Sequence, residues 1–373
     1  MFIVIKAKEL IEGLQKVSKA VSTTSAMEIL KGVKVTATHE AITLVGSNNT
    51  TSIQVEIPAS QEKGVCIEKP GGVILPTTFF DVVKRMGEEV TISVNEKYTT
   101  TVKSSNSKIK AEIQLNGIDP EMYPQLPEIN EKPTLKLAGR EFLSLIQKTG
   151  FATAEEETRP ILTAILFRLQ DESLSLTATD AHRLAIGSLK VPTKEELAVP
   201  VPSKAMKELA RVILPSEEVE ITITSNHFVV KNGDMVFFTR LIQGTYPDVN
   251  RSIPQSHKTK WLVNRLEFID ALERLQIVGE NKKLQSIQMK VEGQTVTLNT
   301  KQREAKAEEQ LFISGMEGET LTISFNLKYV LESFKAMDTQ QVEIRCMNAM
   351  SPLLILPEKK SDELHLVLPL RTA

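Results

Sequence analysis

Three stretches of the chain repeat one template: a β-type run, a Pro or Asn at a helix start, an amphipathic helix, then a second β-type run. They are 72–94, 198–223 and 321–345. Aligned at Pro76, Pro202 and Asn326, the stretches lie 126 and 124 residues apart, so the 373 residues divide into three similar units. An internal period of this kind constrains the architecture before any local motif is read. A single globular core becomes a poor expectation, and a tandem array of related units becomes the natural one.

The remainder of each unit keeps the same period. Each opens with a strand-like run and an amphipathic helix, at 5–20, 138–150 and 264–279. Apolar residues fall at helical spacing there, as with Leu10, Leu14 and Val17, or Phe268, Ile269 and Leu272. An apolar β-rich pair follows each helix, at 29–44, 161–177 and 287–298. The first two units close on similar Pro-rich exits, 119–127 and 244–254. The expected repeats are therefore 1–128, 129–255 and 256–373. Each is large enough to bury a core of its own. With two helices and many strands per unit, the expected class is α+β, the helices covering antiparallel sheets on one side.

Composition excludes several classes. Hydrophobic content of 41% with 25% charged residues is ordinary for a globular protein. No apolar run approaches the roughly 20 residues of a membrane span, so no membrane partner is expected. The start, Met1 to Lys6, reads as a first strand rather than a signal peptide. Cys66 and Cys346 lie in β-type runs of different units and suit a reducing, cytoplasmic setting. Five histidines and two cysteines without short ligand spacing speak against a metal site, and nothing calls for a cofactor.

The net charge of −2 hides an asymmetry. The six expected helices (5–20, 77–87, 138–150, 203–212, 264–279 and 326–337) carry fifteen Lys and Arg against nine Asp and Glu, and the rest of the chain is net anionic. Cationic helices brought to one face would attract phosphate without reading base sequence. Tandem units can continue their sheets edge to edge into an arc, whose two terminal edges call for pairing. Head-to-tail association of two chains closes a ring and removes both edges. The expected contact joins residues 101–115 of the first repeat to residues near 269–287 of the third. With helices about 10 Å apart, six leave a hole of roughly 9 Å, too narrow for duplex DNA. Twelve, from two chains, leave about 28 Å, enough for a duplex with its water.

Four motifs then carry a resemblance: Arg159-Pro-Ile-Leu162, Thr179-Asp-Ala-His-Arg-Leu-Ala185, Tyr246-Pro-Asp-Val-Asn-Arg-Ser-Ile-Pro254 and Leu368-Pro-Leu-Arg371. With the triplication, they make the whole chain resemble the bacterial sliding clamp, the β subunit of the DNA polymerase III holoenzyme. The resemblance implies a homodimeric ring around double-stranded DNA that confers processivity and performs no catalysis. It also implies a cleft for short peptides, carrying a glutamine and hydrophobic residues, from the polymerase III catalytic subunit, the clamp loader, other polymerases and repair proteins. By motif position that cleft is lined by Leu162, Thr179, His182, Arg183, Leu184, Pro247, Arg251, Pro352, Val367, Leu368, Pro369, Leu370 and Arg371. Replacing His182 or Arg183 is expected to weaken peptide binding and leave thermal stability near wild type. Ala181 stands where the family often has glycine, which argues against a left-handed backbone there.

The helix cations expected to face DNA are Lys8, Lys16, Lys84, Lys148, Lys204, Lys207, Arg211 and Lys335. Two other readings compete. A divergent second-copy clamp, or a repeat scaffold that binds proteins without encircling DNA, has the same architecture. An enzyme would use Asp180 and His182 with a nearby hydroxyl, but the nucleophile elbow and phosphate-loop spacings are absent. Asp180 reads better as a turn residue bonding nearby amides.

Overall fold

The computed structural model describes residues 1–22, 24–104, 111–127, 131–155, 158–278, 285–301, 306–359 and 362–370. The first repeat runs β1 (Phe2–Lys6), α1 (Ala7–Val17), β2 (Gly32–Ala37), β3 (Ala41–Ser47), β4 (Thr51–Pro58), β5 (Val65–Lys69), β6 (Gly71–Pro76), α2 (Thr78–Arg85), β7 (Glu89–Val94), β8 (Thr99–Ser104) and β9 (Glu112–Asn116). The second runs β10 (Leu135–Ala138), α3 (Gly139–Thr149), β11 (Ala164–Gln170), β12 (Ser173–Thr179), β13 (Arg183–Lys190), β14 (Leu197–Pro202), α4 (Ser203–Leu209), β15 (Glu218–Ile223), β16 (His227–Asn232) and β17 (Met235–Arg240). The third runs β18 (Thr259–Asn264), α5 (Arg265–Ile277), β19 (Ser286–Glu292), β20 (Thr295–Lys301), β21 (Lys306–Phe312), β22 (Ser314–Glu317), β23 (Leu321–Asn326), α6 (Leu327–Ala336), β24 (Gln341–Cys346), β25 (Leu353–Pro357) and β26 (Glu363–Val367).

The six expected helices are the six α-helices of the described residues, and the α+β class with three tandem units holds. Local chemistry explains their starts. Asn264 accepts from the amides of Leu266 and Glu267, and Asn326 from Lys328, so both cap a helix directly after a strand. The buried face of α1 is Ala7, Leu10, Gly13, Leu14 and Val17, a helical stripe with Lys8, Glu12 and Lys19 exposed outside it. α4 stops at Leu209, three residues earlier than its periodicity suggests, and the chain passes through turns to Pro215.

The sheets cross the repeat boundaries. One has the order β5-β1-β7-β8-β9, and a second β10-β15-β16-β17-β4-β3-β2-β6. A third has the order β14-β11-β12-β13-β26-β25-β24-β18-β22, and the last β21-β20-β19-β23. β17 therefore pairs with β4, matching Met235 to Val55 and Thr239 to Thr51. β26 pairs with β13, matching Glu363 to Gly187 and Val367 to Arg183. The central repeat is shared out by these pairings. One compact unit is Met1–Glu141 with Glu208–Leu241, and the other is Phe142–Lys207 with Ile242–Ala373.

Among the strands at sheet ends are β9, in the first unit, and β21, in the second. In the third repeat, β19 lies inside its sheet between β20 and β23, with β21 and β23 at the sheet's ends. Residues 105–110 and 279–284, parts of the expected contact, lie outside the described residues.

Candidate peptide groove and DNA-facing cations

The motif residues converge because β26 is laid against β13. Beyond the Val367–Arg183 pair, the Leu368 amide donates to the His182 carbonyl at 2.9 Å. β25 places Leu353 beside Val367 on the other side, with Pro352 just before it. The loop 179–183 is a tight turn. Asp180 Oδ1 accepts from the amides of His182 and Arg183, both at 2.9 Å. Thr179 Oγ1 donates to the Arg183 carbonyl at 2.6 Å and accepts from Ala181 N. Asp180 is thus the turn residue the sequence suggests. Ala181 corrects the expectation made for it: it adopts a left-handed backbone, φ +72°, although it is not glycine. The hydrogen bonds on either side hold it there against a cost on the order of 1 kcal/mol.

The other walls come from loops. Pro160–Thr163 is a 3-10 turn that presents Leu162, which is buried. Tyr246 anchors the second Pro-rich exit by donating its hydroxyl to the Thr177 carbonyl at 3.3 Å, and burial raises its pKa. Pro247 and Arg251 follow it on the surface, Arg251 beside Asp248 at 3.3 Å. Val249 and Ile253 pack on a small cluster of Leu184, Leu354 and Leu366. Val367 is buried, Leu368 and Leu370 are about one-third exposed, and Pro369 lies half-buried between them. Leu370 is held by its amide, which donates to the Ser324 carbonyl at 2.8 Å. Arg371 lies outside the described residues.

His182 and Arg183 separate in role. His182 is exposed, its ring 6.5 Å from that of Tyr329 and nearly parallel to it. Arg183 is only 4% exposed, and its guanidinium points inward. It pairs with Asp180 at 2.9 Å and with Glu332, donates to the Phe151 carbonyl at 2.7 Å, and lies 4.4 Å from the centre of the Tyr329 ring. Tyr329, Glu332 and Phe151 escaped the sequence reading because they sit in none of the motifs. Their only signal was the i, i+3 spacing of Tyr329 and Glu332 along α6.

A further unforeseen residue is His365, fully buried on β26. Its ring nitrogens lie 3.1 Å from the Ser333 carbonyl and 3.0 Å from that of Lys148, tying β26 to α6 and α3. Burial pushes its imidazole down to about 4.

The eight helix cations differ in setting. Lys16 pairs with Asp234 at 2.5 Å, and Lys148 with the buried Glu363 at 2.9 Å, so Lys16 ties α1 to the β16–β17 turn and Lys148 ties α3 to β26. Lys8, Lys84, Lys204, Lys207, Arg211 and Lys335 are exposed. Among these, Lys8 faces Glu12, Arg211 faces Glu208, Lys335 faces Glu273, and Lys84 covers the Phe80 ring at 3.8 Å. Lys16 and Arg211 line one cleft of about 880 Å³ in the first unit. Desolvation and the nearby charge of Arg183 lower the pKa of Lys207. Among the described residues, no group of three His, Cys, Asp or Glu is placed to hold a metal, and no helix is long and apolar enough to cross a membrane.

Triplicated helix-on-sheet units joined by shared sheets, with motif segments gathered beside the last strand, define the clamp class of protein. Three family models cover the chain: the N-terminal domain of the DNA polymerase III beta subunit over 1–127, the central domain over 136–248 and the C-terminal domain over 250–371. The chain belongs to the DNA polymerase III beta subunit family, the beta sliding clamps. It is 35% identical to the beta sliding clamp of Halalkalibacterium halodurans, with all of both chains covered. The crystal structure of the Bacillus subtilis sliding clamp matches with a TM-score of 0.95 at 33% identity, and that of the Streptococcus pyogenes beta subunit with 0.93 at 28%, each over the full length of both chains.

Proposed function

We propose that the chain is a DNA sliding clamp that acts in the cytoplasm as a head-to-tail homodimer, encircles duplex DNA without sequence preference and tethers its partners through the groove at residues 162–184, 247–253 and 352–370. It supplies processivity and catalyses nothing. Asp180, the one carboxylate beside His182, is engaged by two amides and Arg183, which supports a structural role for it. The observation that carries the reading is the packing of three separately encoded motif segments, Val249 and Ile253 lying on Leu184, Leu354 and Leu366 and Leu368 bonded to His182, in a chain that belongs to the clamp family. Leu, Val and Pro form an apolar floor, while His182 and backbone groups at its rim suit the orientation of a short peptide.

The ring reading draws on the sheets. Each internal junction joins the last strand of one repeat's hairpin sheet to the last strand of the next repeat, β4 with β17 and β13 with β26. The strands in the corresponding positions with one edge unpaired among the described residues are β21 and β9, so pairing them between two copies extends the same rule. The exposed cations Lys8, Lys84, Lys204, Lys207, Arg211 and Lys335 are the proposed phosphate contacts, with Lys16 and Lys148 held back by their ion pairs.

The partners proposed are the polymerase III catalytic subunit, the clamp loader, and other polymerases and repair proteins with short Gln-containing hydrophobic motifs. The test is retention on circular duplex DNA after loading, followed by one cut. Release on linearisation is expected. Protein that stays on the open-ended product binds by an ordinary surface patch, and the encircling reading fails.

A further inference from the structure

We infer that the junction of the first and second repeats carries a second copy of the groove backbone, silenced by a few side chains, and that this silencing limits each chain to one peptide. The inference rests on the reading of residues 162–184 and 352–370 as a peptide groove.

The backbones correspond step by step. The 3-10 turn Glu28–Lys31 presents Leu30 as Pro160–Thr163 presents Leu162. Leu30 N donates to the Met27 carbonyl at 3.1 Å, and Leu162 N to that of Arg159 at 2.9 Å. Asn48 Oδ1 accepts from the amides of Thr50 and Thr51, as Asp180 does from those of His182 and Arg183. The residue between is left-handed in both, φ +75° at Asn49 and +72° at Ala181. Beyond the turn, Thr51 pairs with Thr239 where Arg183 pairs with Val367. Arg240 N then donates to the Thr50 carbonyl at 3.0 Å, where Leu368 N donates to that of His182 at 2.9 Å.

The side chains diverge. The register puts Ser52 in the place of Leu184, Thr239 in that of Val367 and Arg240 in that of Leu368. Ser52 already donates its hydroxyl to Ser47 at 2.8 Å. The linkers also pack differently. Leu126 lies on the cluster of Leu30 and the buried Tyr123, whereas Val249 and Ile253 lie on Leu184, Leu354 and Leu366. The first junction therefore fills its own hollow, engages the Ser52 hydroxyl internally, buries Thr239 and sets the exposed Arg240 guanidinium where the groove has Leu368. An apolar peptide residue laid there strips water from Arg240, offers it no partner and meets no leucine at position 52.

The test is calorimetric titration of the full chain with a Gln-containing hydrophobic hexapeptide, with thermal melting as the check on folding. The wild type is expected to take one peptide per chain. The combined variant Ser52→Leu, Leu126→Ala, Thr239→Val and Arg240→Leu is expected to take two. A folded variant that still takes one, or a wild type that already takes two, overturns the inference. Should the variant not fold, the reciprocal exchange decides: Leu184→Ser, Val367→Thr and Leu368→Arg are expected to weaken the wild-type site at least about tenfold, the loss of one Leu-sized anchor. Affinity within twofold of wild type overturns it. A wild type that takes no peptide at all removes the groove reading itself, and this inference with it.

Discussion

Arg183 illustrates how a motif residue changes meaning once its surroundings are known. In the sequence it stands beside His182 as a second groove residue. In the structure it is a buried cation with two carboxylates and a carbonyl as partners. Removing it leaves Asp180 without its cation and Glu332 with Lys328 alone at 3.9 Å; because Glu332 is one-third exposed, the cost lies below the roughly 3–5 kcal/mol of breaking a fully buried pair. Arg183→Ala is therefore expected to lower the melting temperature by several degrees as well as weaken peptide binding. His182→Ala, at an exposed ring, is expected to weaken peptide binding and leave melting within about a degree, since surface changes usually stay within about 0.5 kcal/mol. Equal melting of the two variants would refute the distinction. The cysteines make a second contrast. Cys66 is exposed, while Cys346 is buried and burial pushes its thiol up to about 11. A maleimide at neutral pH is expected to label Cys66 alone in the native protein, and both after denaturation. Rapid native labelling of Cys346 would show that β24 opens readily.

At the scale of elements, the contact of α1 with β3 depends on Gly46. A β-carbon there would lie 2.2 Å from the Val17 carbonyl oxygen, against backbone that cannot rotate away. Gly46→Ala is expected to destabilise the protein by about 1–3 kcal/mol, the usual range for overpacking. Urea unfolding followed by circular dichroism checks this, and an unchanged midpoint would mean that α1 shifts freely on its sheet. The helix positions were legible from their 3.6-residue stripes, reinforced for α5 and α6 by the capping asparagines Asn264 and Asn326. The partners of the strands were not. The alternation in β4 fits pairing with any apolar strand edge, and its actual partner, β17, lies some 180 residues away.

For the whole molecule, the proposed ring closure brings β9 of one copy to β21 of the other. Ile113 on β9, Phe312 at the end of β21 and Ile277 at the end of α5 are large apolar side chains left exposed on the single chain, the last two at 84%. Sedimentation at micromolar concentration is expected to give twice the 41.5 kDa chain mass. Ile277→Asp with Phe312→Asp is expected to shift the protein toward monomer, each change removing about 1.5–3 kcal/mol of apolar burial, with melting of the chain itself little altered. A dimer indifferent to both changes closes through some other surface.

The sequence by itself determined the threefold period, the class, the six helices and the motif segments, because helix stripes, caps and turns are written in residues close together along the chain. Only the tertiary structure decided that the central repeat is divided between two compact units, that Arg183 faces inward onto Tyr329 and Glu332, and that β21 lies at the end of its sheet. These outcomes depend on hydrogen bonds and charges brought together from distant positions, and strand alternation carries no address for such a partner.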